Sequence, residues 1–191
     1  GSSGNKNFAI SNDSLYTNTS FDFEASANHS IRVAANDGNG GTFQQTFTIN
    51  ILNANDTPTD INITSNQIAE NLPSNSTLGI LSTVDQDAGN TFIYSLVPGN
   101  GSTDNNSFNI SGNALRSSIS YDFETKNAYS VRVRSTDNGG SFNDKVFTIN
   151  ITDIIDAPVD ITISNDTINE NLPTNTLVGT INGVSQDASA S

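Results

Sequence analysis

The sequence predicts an all-β protein built from tandem Greek-key β-sandwich repeats, and three observations carry that expectation. The first is an internal repeat, which decides architecture before any local signal does. Phe21-Asp22-Phe23-Glu24 returns as Tyr121-Asp122-Phe123-Glu124, an offset of 100 residues. The same offset relates Phe47-Thr48-Ile49-Asn50-Ile51 to Phe147-Thr148-Ile149-Asn150-Ile151, and Glu70-Asn71-Leu72-Pro73 to Glu170-Asn171-Leu172-Pro173, with no insertion between them. The second observation is period-two alternation, as in Ser30-Ile31-Arg32-Val33-Ala34 and Asp60-Ile61-Asn62-Ile63-Thr64. Such strands have one buried and one wet face, which suits antiparallel sheets packed as a sandwich. The third is turn chemistry: Asn, Gly and Asp clusters such as Asp37-Gly38-Asn39-Gly40-Gly41 separate the runs.

Element by element, Pro58 and Pro158 follow acidic segments and precede new strands, so they mark repeat boundaries. Residues 58–157 then form one complete repeat, expected to have seven strands. Val131, Val133, Phe147, Ile149 and Ile151 share its buried face because they alternate in step. Residues 1–57 read as the later strands of a preceding repeat, and 158–191 as the first strands of a following one. The natural chain is expected to continue in both directions; the alternative is that the two ends complement each other between chains. Gly1-Ser2-Ser3-Gly4 aligns without a gap to Gly101-Ser102-Thr103-Asp104 and is read as native sequence. Any export signal is expected outside these residues.

Composition narrows the function. Among 191 residues, 20 are acidic and 7 basic, for a net charge of −13. That balance argues against nucleic acid and anionic membrane surfaces, which both require Lys and Arg. No apolar run approaches the ~20 residues of a membrane helix. Cysteine is absent, so an exported protein of this kind must be stapled by something other than disulfides, and bound metal is the candidate.

The acidic residues gather in a fixed order: Glu70-Asn71, Asp85-Gln86-Asp87, Asp122-Phe123-Glu124, Thr136-Asp137-Asn138-Gly139 and Asp153-Ile154-Ile155-Asp156-Ala157-Pro158. This order resembles the cadherin repeat along the whole chain. The short Asn-Asp-Thr-Pro and Asp-Ala-Pro boundaries are similar to bacterial cadherin-like surface proteins. The resemblance implies a cadherin/immunoglobulin-like sandwich with Ca2+ between repeats. The chemistry agrees, because calcium takes six to eight oxygen ligands from carboxylates, amides and carbonyls. By resemblance, the first site would use Asp22, Glu24, Asn53, Asn55, Asp56, Asp85, Asp87 and Asp137. The second would use Glu70, Asp122, Glu124, Asp153, Asp156 and Asp187. It departs from the family pattern at Ile155 and Ser185, which implies fewer ions there. Asp37 and Glu170 would serve further sites.

No catalytic constellation emerges, and the chain is not expected to be an enzyme. His29 is the single histidine; its counterpart is Tyr129, which reads as strand packing. Paired carboxylates alone would suit a glycosidase, but their recurrence at every boundary argues against a unique active site. The resulting expectation is a calcium-stiffened spacer in an extracellular cell-surface adhesin. Its partners would be neighbouring repeats of the same polypeptide, with no nucleic acid and no direct membrane insertion. The alternative is a module recognising surface carbohydrate or identical repeats on another cell, although no Trp and only 4 Tyr are available as sugar platforms.

Overall fold

The computed structural model describes residues 4–185 and residue 187. The chain divides into two compact units. One gathers the described residues up to Pro58 with the segments Asp85–Thr91 and Asp137–Ser141; the other holds Thr59–Val84, Phe92–Thr136 and the described residues from Phe142 onward.

The first unit contains two hairpins. Strands β1 (Phe8–Ser11) and β2 (Ser14–Thr17) pair antiparallel across Asn12 and Asp13. Both turn residues have positive φ, 48° and 62°, the conformation a two-residue hairpin needs and one that Asn and Asp tolerate. Strands β3 (Asn28–Asn36) and β4 (Thr42–Asn50) form the second hairpin. The His29 ring lies 4.8 Å from that of Phe21, which stacks 5.2 Å from Phe8. His29 is therefore an aromatic packing residue, as its counterpart Tyr129 is beside Phe108 and Tyr121.

The second unit contains a full sandwich. Its strands are β5 (Asp60–Ile63), β6 (Gln67–Ala69), β7 (Thr77–Val84), β8 (Ile93–Leu96), β9 (Phe108–Ser111), β10 (Ala114–Ser117), β11 (Ala128–Thr136) and β12 (Phe142–Thr152). They form two four-stranded sheets, ordered β5-β7-β10-β9 and β6-β12-β11-β8. The chain changes sheet between β5 and β6, β6 and β7, β7 and β8, β8 and β9, and β10 and β11, which makes the topology Greek-key. Strand count exceeds the expected seven because the first strand splits at Ser65. Its first half pairs with β7, while its second half runs parallel to β12 in the other sheet. The Ser65 hydroxyl accepts from the Gln67 amide at 3.1 Å and holds that bend.

Burial follows the alternation. Val131, Val133, Phe147, Ile149 and Ile151 all lie in one core with Ile61, Leu81 and Leu115. Beyond it, β13 (Asp160–Ile163) and β14 (Ile181–Val184) make a two-stranded sheet whose register repeats that of β5 and β7. No helix among the described residues is long and apolar enough to cross a membrane.

Candidate metal centre

Two carboxylate clusters stand out, one in each unit. In the first unit, carboxylate oxygens of Glu24, Asp56 and Asp87 lie within 4.8 Å of one another. Glu24 comes from the turn after Phe23, Asp56 from the linker before Pro58, and Asp87 from the loop after β7. Like charges at ~4 Å repel by about 1 kcal/mol per pair even in water, so three together need compensation. Among the described residues no Lys or Arg pairs with this cluster; the ion pairs recorded go to Asp104, Asp144 and Asp60.

Amide donors compensate in part. Asp87 Oδ2 accepts from the Asp56 backbone amide at 2.7 Å, and its Oδ1 from Asn53 Nδ2 at 3.0 Å. The Asp56 amide first, and Asn53 second, hold the Asp87 carboxyl below the usual carboxylate range. Asn55 Nδ2 donates to Asp137 Oδ2 at 2.9 Å and approaches Ser141 Oγ at 3.2 Å. Gly139 lets Asn55 lie close: a Cβ there would stand 2.1 Å from Asn55 Oδ1. Asp22 Oδ1 accepts from the Ala25 amide and Oδ2 from Gln86 Nε2, at 3.0 and 2.8 Å. Both bonds lower its proton affinity, the Ala25 one more. Glu24 goes the other way. Desolvation raises its pKa most, its own backbone amide opposes this, and the charges of Asp87, Asp56 and Asp22 add to the rise.

Asp85 supplies the clearest sign of an unmet need. Its Oδ1 accepts from the Asp87 amide at 2.9 Å, while its Oδ2 is buried with no partner. Asp22, Glu24, Asn53 and Asp56 also line one recess of about 230 Å³. The structure thus brings all eight expected residues of the first site into one connected network or onto its rim.

The second cluster joins Glu70, Glu124 and Asp153, again with oxygens within 4.8 Å. Glu70 is buried and fully engaged by backbone: Oε2 accepts from the Phe123 amide at 2.6 Å and Oε1 from the Ile154 amide at 2.8 Å. For Glu124 the largest influence, a bond from its own amide, lowers the pKa. Desolvation and the charges of Glu70, Asp153 and Asp156 outweigh it, and the net shift is upward. Asp156 Oδ1 accepts from Asn71 Nδ2 at 2.7 Å, and its amide donates to Asp187 Oδ2 at 3.0 Å. Ser185 Oγ donates to the same Asp187 oxygen at 2.8 Å, and Asp187 Oδ1 is buried without a partner. Asp122 is tied locally, to the amide and hydroxyl of Thr125. Ile155 is exposed. Asp37 likewise closes its own loop, accepting from the Asn39 and Gly41 amides, and Glu170 is exposed.

Both donor sets fit a hard divalent cation: they are all oxygen, mostly anionic, and each ends in a buried carboxylate oxygen with nothing to bind. Gln86, Ser141 and Asn71 join these networks without having been singled out as ligands. Their positions inside or beside the acidic motifs are the only signal that marks them.

No protein-family model and no curated protein matches the sequence. Solved structures do. Protocadherin gamma B7 extracellular cadherin domains 1-4 align at 25% identity and TM-score 0.65, covering 95% of this chain and 47% of that one. Human protocadherin-24 EC1-2 aligns at 20% identity and TM-score 0.65, covering 81% and 79%. The protocadherin gammaB7 EC3-6 cis-dimer structure aligns at 24% identity and TM-score 0.59, covering 97% and 47%. The chain spans about half the length of most of these neighbours. Its fold is that of cadherin extracellular repeats.

Proposed function

We propose that this chain is a calcium-binding, calcium-rigidified stretch of repeats in a large extracellular adhesin, bacterial by its boundary sequences, and that it has no enzymatic role. Repeats divided at Pro58 and Pro158 are part of the same reading. One observation carries it: Glu24, Asp56 and Asp87 converge within 4.8 Å, beside a buried, unpartnered Asp85 oxygen, with no protein cation paired to them among the described residues.

Calcium would supply the missing positive charge. In the first site Asp22, Glu24, Asn53, Asn55, Asp56, Asp85, Asp87 and Asp137 would hold it; in the second, Glu70, Asp122, Glu124, Asp153, Asp156 and Asp187. The chain's own residues do the mechanical work. Asn53, Asn55 and Asp56 belong to the linker, whereas Asp85, Asp87 and Asp137 belong to loops 85–91 and 137–141. Ligating both groups at once removes the linker's freedom to swing. Asn53 and Asn55 now aim amide nitrogens at carboxylates. With the cation present those amides turn over, offering oxygen where they had offered N–H.

Isothermal calcium titration, with hydrogen exchange of residues 53–57 in calcium and in chelator, tests the reading. Extracellular modules bind at about 10⁻⁴–10⁻³ M, and exchange in the linker should slow once that range is passed. Absence of binding at tens of millimolar would reject it.

A further inference from the structure

Four Asn-Gly pairs occur in the chain: Asn39-Gly40, Asn100-Gly101, Asn138-Gly139 and Asn182-Gly183. The pair carries a chemistry of its own. The glycine amide nitrogen can close on the asparagine side-chain carbonyl, because no Cβ shields it. Closure needs three freedoms: an unbound side chain, a glycine amide without an acceptor, and a peptide between them that can rotate. The fold grants these unequally.

Asn100 and Asn182 lack the third. Asn100 O accepts from Arg132 Nη1 at 3.2 Å, and Gly101 O accepts from the Ser130 hydroxyl at 2.8 Å. A Cβ on Gly101 would stand 2.5 Å from Val146 Cγ2, so that turn is also tightly packed. Asn182 and Gly183 lie within β14, paired to Thr162 and Ile161. Asn39 is partly held. Its backbone amide donates to Asp37 Oδ1 at 2.8 Å, its Nδ2 approaches Asp37 O at 3.4 Å, and the Gly38 amide is fixed by Asn36 Oδ1. In the equivalent loop Thr136 replaces Asn36, and Asp137-Asn138-Gly139-Gly140-Ser141 replaces Asp37-Gly38-Asn39-Gly40-Gly41. Asp137 still closes the ends of this loop: its amide donates to Ser141 O at 3.0 Å, and its Oδ1 accepts from the Ser141 amide at 2.9 Å. Between those ends Asn138 is exposed. Among the described residues, neither its side chain nor the Gly139 amide has a hydrogen-bond partner.

We propose that Asn138-Gly139 is a site of spontaneous deamidation, a modification that frees Asn55 from the loop that holds it. The Gly139 nitrogen attacks Asn138 Cγ and the new C–N bond closes a succinimide. The Cγ–Nδ2 bond breaks, and Nδ2 leaves as ammonia with the proton that Gly139 gives up. Water then opens the ring at either carbonyl, leaving aspartate or isoaspartate at position 138. Both products place a new carboxylate beside Asp137. The isoaspartyl product also lengthens the main chain by a carbon ahead of Gly139, where Asn55 leaves no room: a Cβ on Gly139 would stand 2.1 Å from Asn55 Oδ1. The bonds from Asn55 Nδ2 to Asp137 Oδ2 and Ser141 Oγ are the ones that give way, and the linker of the metal-free chain loosens with age.

The test ages the full chain in mildly alkaline buffer with chelator. Peptide mapping follows the mass gain of amide to acid, and the isoaspartyl content, at each of the four sites. Opening two hydrogen bonds before reaction slows a site by about tenfold. Conversion at 138 should therefore outpace that at 100 and 182 by about that factor, with 39 between. Hydrogen exchange of residues 53–57 should quicken in step with conversion at 138. Asn138→Gln keeps the amide but disfavours closure, since the ring to be formed is larger. On ageing it should stay unconverted at this position and keep the linker exchange of the fresh chain. Conversion at any of the other three sites as fast as at 138 overturns the proposal. So does conversion at 138 that leaves linker exchange unchanged, or a linker that loosens equally in aged Asn138→Gln.

Discussion

The two carboxylate clusters are built from the same motifs but neutralised by different means. In the first, Asp87 is met by Asn53 and by the amide of Asp56, both on the linker. In the second, Glu70 is met by two backbone amides, that of Phe123 in the turn before β11 and that of Ile154 just past β12. The Asn53 side-chain amide can rotate away and yield to a cation, leaving Asp87 the Asp56 amide, whereas both donors to Glu70 are backbone. On the proposed reading, the first cluster keeps a donor that can give way to an ion, whereas Glu70 of the second is held by backbone alone. The contrast between Asp87 and Glu70 is one of donor chemistry, a side-chain amide with a backbone amide for the one and two backbone amides for the other.

Glu70→Ala should produce the largest effect. It leaves two buried amides without an acceptor, and bonds to charged groups contribute about 1.5–3 kcal/mol each. We expect about 3 kcal/mol lost from the complete repeat in urea unfolding, with or without calcium. Asp87→Ala should leave that repeat's unfolding intact and weaken calcium binding at the first cluster. If Glu70→Ala matters only in calcium, the two clusters do not differ in the way described.

Calcium withdrawal comes next. A ligand that binds only the folded state stabilises it by RT ln(1 + [L]/Kd). With Kd near 10⁻⁴–10⁻³ M, ~10 mM calcium contributes about 1.4–2.7 kcal/mol per site. Thermal scans in calcium and in chelator should separate the transition of the first unit most. Uniform shifts for every transition would erase the contrast.

How much of this was legible in the sequence depends on what each feature rests on. Alternation exposed the core, because burial of Val131, Val133 and Ile149 is a local matter of period two. The acidic motifs exposed the clusters, because carboxylates recurring in a fixed order at one interval mark places where the fold gathers them. The split of the first strand at Ser65 was not legible: a parallel pairing with β12 depends on the other sheet's position. Nor was the fate of Asp122, held by Thr125 two bonds at a time while its neighbour Glu124 faces the cluster. Gln86 and Asn71 escaped because a neutral amide inside an acidic motif looks like filler until its partner is seen.

Converting the second cluster toward the first gives a smaller effect. Ser185 now donates its hydroxyl to Asp187, where the first cluster has the carboxylate of Asp85. Ser185→Asp together with Ile155→Asn adds one charge and one amide oxygen to the donor set. Calcium affinity should rise about tenfold, since ligand charge and count set affinity in such sites. Stability in chelator should fall, because a second carboxylate then faces Asp187. Titration calorimetry reads the first change and unfolding in chelator the second; a gain in affinity without the loss would mean that Asp187 was not the neighbour that mattered.

The smallest effect belongs to a carboxylate that needs no metal. Asp144 accepts from Arg134 through two bonds, at 2.7 and 2.9 Å, and from Arg132 at 2.9 Å. Arg134 above all, and Arg132 with it, hold the Asp144 carboxyl at about 2, down from 3.8. Partial solvent exposure of both arginines screens the interaction. A depressed pKa contributes stability that is fully present above the unfolded value near 3.8 and lost as pH falls toward about 2. Asp144→Asn should accordingly cost about 1 kcal/mol at neutral pH, and the cost should vanish across that acidic window. It should also be identical in calcium and in chelator, because guanidinium groups already supply the charge that Glu24, Asp56 and Asp87 lack. A calcium-dependent cost at Asp144, seen in paired unfolding curves, would show that carboxylates of this chain bind the ion without regard to their partners, and the distinction between the two clusters would lose its basis.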